Sequence, residues 1–123
     1  MSSPNIVNVA TITGKTAAMS PTTNVATVVT NAASSGKVLK VNTIIAANIH
    51  GTNACNITLN LYPEDDVGGT GVAICSTVSV LPNTRAVLIE KNSSLYLEEN
   101  TSIGAIAGAS GVIQIVCSYE EIS

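Results

Sequence analysis

The chain has 123 residues, a formal charge of −3, and Asp, Glu, Lys or Arg at only 11% of its positions. That length sets one domain, and without any run of Lys or Arg there is no basic footprint for nucleic acid. No apolar run approaches the ~20 residues of a membrane-spanning helix, and the first residues lack the basic-then-apolar layout of a secretory signal.

The composition favours sheet. Val, Ile and Thr fill 41 of the 123 positions, and these side chains are stiff at χ1 and pack well on a pleated surface. Phe and Trp are absent and Tyr occurs three times, so the core has to be aliphatic. The charged fraction is well below the roughly 25% of ordinary soluble domains. With Asn, Thr and Ser as the main polar residues, much of the surface is expected to meet other protein.

In chain order, residues 1–5 form a polar lead-in and residues 6–13 (IVNVATIT) have the composition of a strand. Residues 14–23 are small and broken by Pro21, which reads as a loop or extended arm. Residues 1–23 are therefore expected to be an N-terminal strand plus arm that reaches onto a neighbouring copy, with residues 24–123 as the compact domain. Residues 25–30 (VATVVT) make the next strand, closed by the turn-forming run NAASSG.

Residues 37–62 carry the strongest pattern. In KVLKVNTIIAANIH, Leu39, Val41, Ile45, Ala47 and Ile49 share one parity with Thr43. Lys40, Asn42, Asn48 and His50 share the other, together with Val38, Ile44 and Ala46. In ACNITLNLY, Cys55, Ile57, Leu59 and Leu61 alternate with Asn56, Thr58, Asn60 and Tyr62. Alternate residues of a strand share a face, and the HGTN link offers a glycine for a turn. The expectation is a long central hairpin with one oily face. Its other face, Lys40, Asn42, Asn48, Asn56, Thr58 and Asn60 with Ile44 among them, is expected to contact another subunit. On that reading Ile44→Asp would cost assembly more than folding.

Residues 63–71 (PEDDVGGTG) read as a solvated loop tip. Residues 72–80, 84–90, 95–97, 102–109 and 112–120 read as further short strands separated by turn signals. Eight or nine short strands without a helix predict an all-β fold, a single β-sandwich of immunoglobulin-like or jelly-roll-like type.

The chemistry-bearing residues are few. His50 lies at a turn without a nucleophile setting around it, so it reads as a turn residue. Glu64, Asp65 and Asp66 could offer oxygens to Ca²⁺ but lack the alternating pattern of a dedicated loop, which favours a solvated tip. Glu98-Glu99 and Glu120-Glu121 are adjacent and point to opposite faces of any strand, unlike a catalytic carboxylate pair. Gly68, Gly69 and Gly71 have no following Lys-Ser/Thr of a phosphate cradle. Cys55, Cys75 and Cys117 sit in strand-like runs at no metal-ligand spacing, and read as buried reduced thiols of a chain made in a reducing cytoplasm. Three N-x-S/T matches read as chance in an Asn/Thr/Ser-rich chain. The expectation is a non-enzyme with no cofactor and no metal.

Three segments carry a family likeness: SSPNIVNVATITGKTA at the start, AASSGKVLKVNTIIAANIHGTN before and through the expected hairpin, and SSLYLEENTSI with VCSYEEIS at the end. Together they resemble small virion structural proteins of marine tailed phages, cyanophages especially. The corner after LEE is Asn100-Thr101, where the family pattern has Gly-Asp. The resemblance implies a non-enzymatic β-sandwich subunit on the particle and carries no site residues over. With the low charge, the aliphatic core and the amide-rich faces, the leading expectation is a capsid decoration or cement protein that packs on the major capsid protein and on sister copies, as a homo-oligomer for which a trimer is one form. The alternative is a tail, neck or fibre component whose loop tips meet a host-surface glycan.

Overall fold

The structure, a computed structural model, describes residues 11–123. Nine strands form two antiparallel sheets: β1 (Ile12–Met19), β2 (Ala26–Asn31), β3 (Val38–Asn48), β4 (Cys55–Tyr62), β5 (Val72–Val80), β6 (Arg85–Ile89), β7 (Leu95–Leu97), β8 (Thr101–Ala107) and β9 (Ile113–Ile122). One sheet has the order β1-β9-β3-β6, with β7 also on β3, and the other has the order β2-β8-β4-β5. A single 3-10 turn, Lys91–Ser93, separates β6 from β7.

The pairing is nested. β1 lies on β9, β2 on β8, β3 on β6 and β7, and β4 on β5. The chain thus runs out and back as one long ladder that is rolled into two layers, which is the jelly-roll form of the β-sandwich. The inner faces interdigitate as an aliphatic core. Val41, Ile44, Leu97, Ile113, Ile115 and Cys117 come from the first sheet, and Ile57, Leu59, Ile103 and Ala105 from the second, each with 0% exposure.

Two expectations change. Residues 37–62 are not a hairpin, because β3 and β4 belong to different sheets. The link at residues 49–54 is an arch from one layer to the other, and Gly51 does not take a positive φ. The hairpin that does form between adjacent strands of the second sheet is β4–β5, closed by residues 63–71.

The second change is at the N-terminus. The expected lead-in at residues 1–5 and residues 6–10 of the expected first strand lie outside the described residues. Residues 12–19, expected mostly as arm, are a regular strand of the chain's own sheet, in unbroken register with β9 from Ile12↔Ile122 to Met19↔Ile115. Only Ala17 and Met19 of β1 pack against the core, so an edge strand built of small residues leaves almost no hydrophobic alternation to read.

One carboxylate ties this edge down. Glu121 on β9 meets Lys37 Nζ at 3.0 Å and Lys15 Nζ at 3.2 Å. The hydrogen bond from Lys37 is the main force holding its carboxyl below the ordinary 4.5; Lys15 adds to it and burial opposes it. A depressed folded-state value means the stabilisation is present above the unfolded-state value and is lost as pH falls through the folded one. Amide protection in β1, relative to that in β3, should therefore hold at neutral pH and fall only as the pH drops below the ordinary 4.5 of a glutamate. Hydrogen exchange across that range checks this; unchanged relative protection at low pH would show the tie to be idle.

Candidate interaction surface

The seven residues expected to form one contact face do not share a surface. Lys40 and Asn42 lie on β3, whereas Asn56, Thr58 and Asn60 lie on β4 in the opposite sheet. Ile44 is 0% exposed and belongs to the core. Asn48 is 2% exposed, with Nδ2 donating to the carbonyls of Asn53 and Val80, both at 2.9 Å, and Oδ1 accepting from the His50 N–H.

The cause is a β-bulge. β3 pairs with β9 through Val41↔Tyr119 and then Thr43↔Ser118, so Asn42 is the extra residue. A bulge residue has no counterpart on the partner strand and switches the parity of the residues beyond it. Before it Val41 points inward, and after it Ile44, Ala46 and Asn48 do. Asn42 itself donates from Nδ2 to Glu120 Oε2 at 3.3 Å, while its buried Oδ1 has no partner among the described residues.

On β4, Asn56 is exposed. Thr58 Oγ1 accepts the Thr77 N–H at 2.9 Å, and Asn60 Nδ2 donates to the Tyr62 hydroxyl at 3.3 Å. These contacts occupy the outer face of the second sheet locally. The loop at residues 63–71 covers more of it. Ser102 Oγ donates to the Glu64 carbonyl and accepts the Val67 N–H, each at 2.8 Å. Asp65 Oδ2 accepts the Ala33 N–H at 3.3 Å. A Cβ on Gly104 would come within 2.6 Å of Val67 Cγ1 and 2.9 Å of Tyr62 Cε1. The loop therefore lies down on β8 at a glycine that makes room for it, where the sequence had suggested a projecting tip. Among the described residues no three His, Cys, Asp or Glu side chains group as metal ligands.

Two of the remaining titratable groups brace the backbone. His50 Nδ1 accepts the N–H groups of Thr52 and Asn53 at 3.1 and 3.0 Å, so the imidazole organises the arch. Glu99 is 8% exposed and accepts the Gly36 N–H at 3.0 Å, bracing the turn between β2 and β3. Cys55 and Cys117 are buried and Cys75, on the β5 edge, is half-buried; all three are free. Burial pushes the Cys117 thiol up to about 12 and raises that of Cys75, against a lowering backbone hydrogen bond at Leu59. Such thiols are poor nucleophiles.

Among the described residues, what is left open is the outer face of the first sheet, except at the end where Val38 and Ile122 are buried. Register places Ala18, Val116, Ile45 and Val87 in one row across β1, β9, β3 and β6. Val116 and Val87 are 44% and 47% exposed. The next row toward the far end is Thr16, Ser118 and Thr43, without a charge. Two shallow depressions flank one end of the face, one lined by Ala47, Ile49, Asn83 and Arg85 and the other by Ala18, Met19 and Gln114. Neither brings together groups for acid–base or nucleophilic chemistry. An apolar row next to an uncharged hydroxyl row is suited to packing on protein. The sequence pattern missed this face because a parity count run unbroken through the bulge assigns its residues, Ile45 and Ala47 among them, to the oily side.

No protein-family model matches the chain, and no curated protein matches it. Among solved structures it is similar to a protein of Bacillus endospore appendages, described as a novel family of disulfide-linked pili. The TM-score is 0.51 at 15% identity, over 92% of this chain and 88% of that one. It is also similar to a chain of the T13 IBDV viral particle, with a TM-score of 0.49 at 9% identity, over 93% of this chain and 31% of that one. At such identities the likeness is of fold alone, and the fold is a β-sandwich.

Proposed function

We propose that this chain is a non-enzymatic virion structural protein, a capsid decoration or cement subunit that packs on the major capsid protein and on sister copies. The observation that carries the reading is the open outer face of the β1-β9-β3-β6 sheet, with its apolar row from Ala18 to Val87. Each copy would bury that surface against a sister copy, and the pair would bridge neighbouring capsomers and so oppose the internal pressure of packaged DNA. The segment likeness to small phage virion proteins supports the same reading. The protein would be made in the bacterial host cytoplasm and reside on the outer surface of the particle.

Two features argue against neighbouring readings. A filament linked by disulfides at both ends of each copy needs at least two accessible thiols, whereas Cys55 and Cys117 are buried and Cys75 is half-buried. A tail or fibre component that meets a host glycan calls for projecting loops, whereas residues 63–71 are held down on β8 by Ser102. Quantitative mass spectrometry of purified particles tests the proposal. Hundreds of copies are expected for a shell protein, whereas about six to eighteen would place it in the tail or neck. Its absence from particles would overturn the virion reading.

A further inference from the structure

We propose that the outer face of the β1-β9-β3-β6 sheet binds the same face of a second copy of this chain, around a two-fold axis that runs parallel to the strands between β9 and β3. The proposal rests on the assembly reading above only for the expectation that copies meet, and it names the surface and its geometry.

The argument starts from the register. A two-fold in that position exchanges β9 with β3 and β1 with β6 or β7, so each row of the face is laid over itself in reverse. The apolar row reads Ala18, Val116, Ile45, Val87. Reversed, it puts Val116 on the partner copy's isoleucine at position 45 and the small Ala18 under the larger valine at position 87. The row at the far end reads Gly14, Glu120, Lys40, Tyr96. Reversed, it puts Lys40 over a glutamate and the 47% exposed Tyr96 over a glycine. A Cβ at Gly14 would have nothing within 4 Å, so there is space for the ring. In both rows the small residue is on β1 and the large one on the opposite edge, which is the arrangement a self-complementary face requires.

Charge points the same way. The described residues contain two ion pairs, both to Glu121; Lys40 and Glu120 are cross-strand neighbours outside those pairs, with Glu120 accepting from Asn42. Opposite charges that meet across the axis fix register and reject wrong alignments. The aligned packing of two twisted sheets keeps strand directions within about 30° and suits this axis. Four strands at about 4.8 Å and about seven residues along each give roughly 500 Å² per copy, close to the ~1,000 Å² in total that a specific interface needs. An isolated pair of this size is expected to be weak, and repetition in an assembly would strengthen it.

The test is a disulfide trap in the full chain carrying both Ala18→Cys and Val87→Cys. Within one copy these positions are three strand spacings apart, about 14 Å, which is far beyond disulfide reach. Between copies the axis brings them together. Mild oxidation should give a covalent dimer on non-reducing electrophoresis from the double variant, and none from wild type or from either single variant. In sedimentation equilibrium the wild type should dimerise, Val116→Asp should weaken dimerisation at least tenfold, and Lys40→Glu should weaken it until Glu120→Lys restores it. A folded double variant that stays monomeric, single variants that cross-link equally well, or a wild type monomeric at every concentration would overturn the proposal. Should the double variant misfold, Val116→Asp decides alone: an unchanged dimer constant overturns it. These measurements use purified protein, so they can fail while the particle inventory succeeds, or the reverse.

Discussion

Ile44→Asp is expected to leave the protein unfolded. Ile44 is 0% exposed, in the core between the two sheets. An aspartate there would either bury a charge or hold a protonated carboxyl among aliphatic side chains, at a cost of more than about 4 kcal/mol. A domain of this size has roughly 5–15 kcal/mol in all. The milder Ile44→Val should cost about 1 kcal/mol and Ile44→Ala about 2–5, with the cavity adding to the lost transfer energy. Circular dichroism with urea titration reads the series. The informative control is Thr43→Asp, one residue away on the outer face, which should fold. If Ile44→Asp folded and Thr43→Asp did not, the bulge at Asn42 would be wrong and the whole second half of β3 would be turned over.

Asn48→Ala should give the next largest loss, about 3 kcal/mol and a fall in Tm of roughly 10 °C. Asn48 is a buried polar side chain whose three hydrogen bonds all go to backbone: two carbonyls, of Asn53 and Val80, and the His50 N–H. It sits at the end of β3 in the first sheet, and Val80 ends β5 in the second, so one amide joins the layers where the chain arches over. Alanine would leave up to three buried backbone groups unpaired, each worth about 1–3 kcal/mol unless water reaches it. Asn48→Asp should be worse than alanine, because its carboxylate would face two carbonyl oxygens. A loss under about 0.5 kcal/mol for Asn48→Ala would show that the arch holds itself.

Asn31 does the same work at the opposite end of the sandwich. It is 2% exposed and donates from Nδ2 to the carbonyls of Lys37 and Leu97, joining β2 of one sheet to the start of β3 and to β7 of the other. Asn48 sits in a strand sequence where a polar residue reads naturally as outward, and Asn31 at the head of a run that reads as a turn. Their burial is explained only when the carbonyls they satisfy are brought to them by distant parts of the chain.

Most of the strands were legible, β1 excepted. Residues 72–80 and 95–97 match β5 and β7, and along the expected strand at 112–120 the alternate residues Ile113, Ile115 and Cys117 are buried and Tyr119 packs against the core. The contact face was not legible, and one extra residue accounts for it. Parity counted along residues 38–49 assumes an unbroken ladder, so Asn42 sent Ile44 and Asn48 to the wrong side.

By itself the amino-acid sequence determined an aliphatic all-β sandwich with its turns in place, because β-branched alternation and Gly, Pro and Asn signals act over a few residues. Only the tertiary structure decided which strands pair. The 49–54 link makes an arch or a hairpin according to whether β3 finds β9 and β4 finds β8, partners about 40 to 84 residues away along the chain. The same long-range pairing lays residues 63–71 on β8 and brings Ala18, Val116, Ile45 and Val87 into one row. No local pattern encodes that row, because its four residues come from four strands and meet only through register.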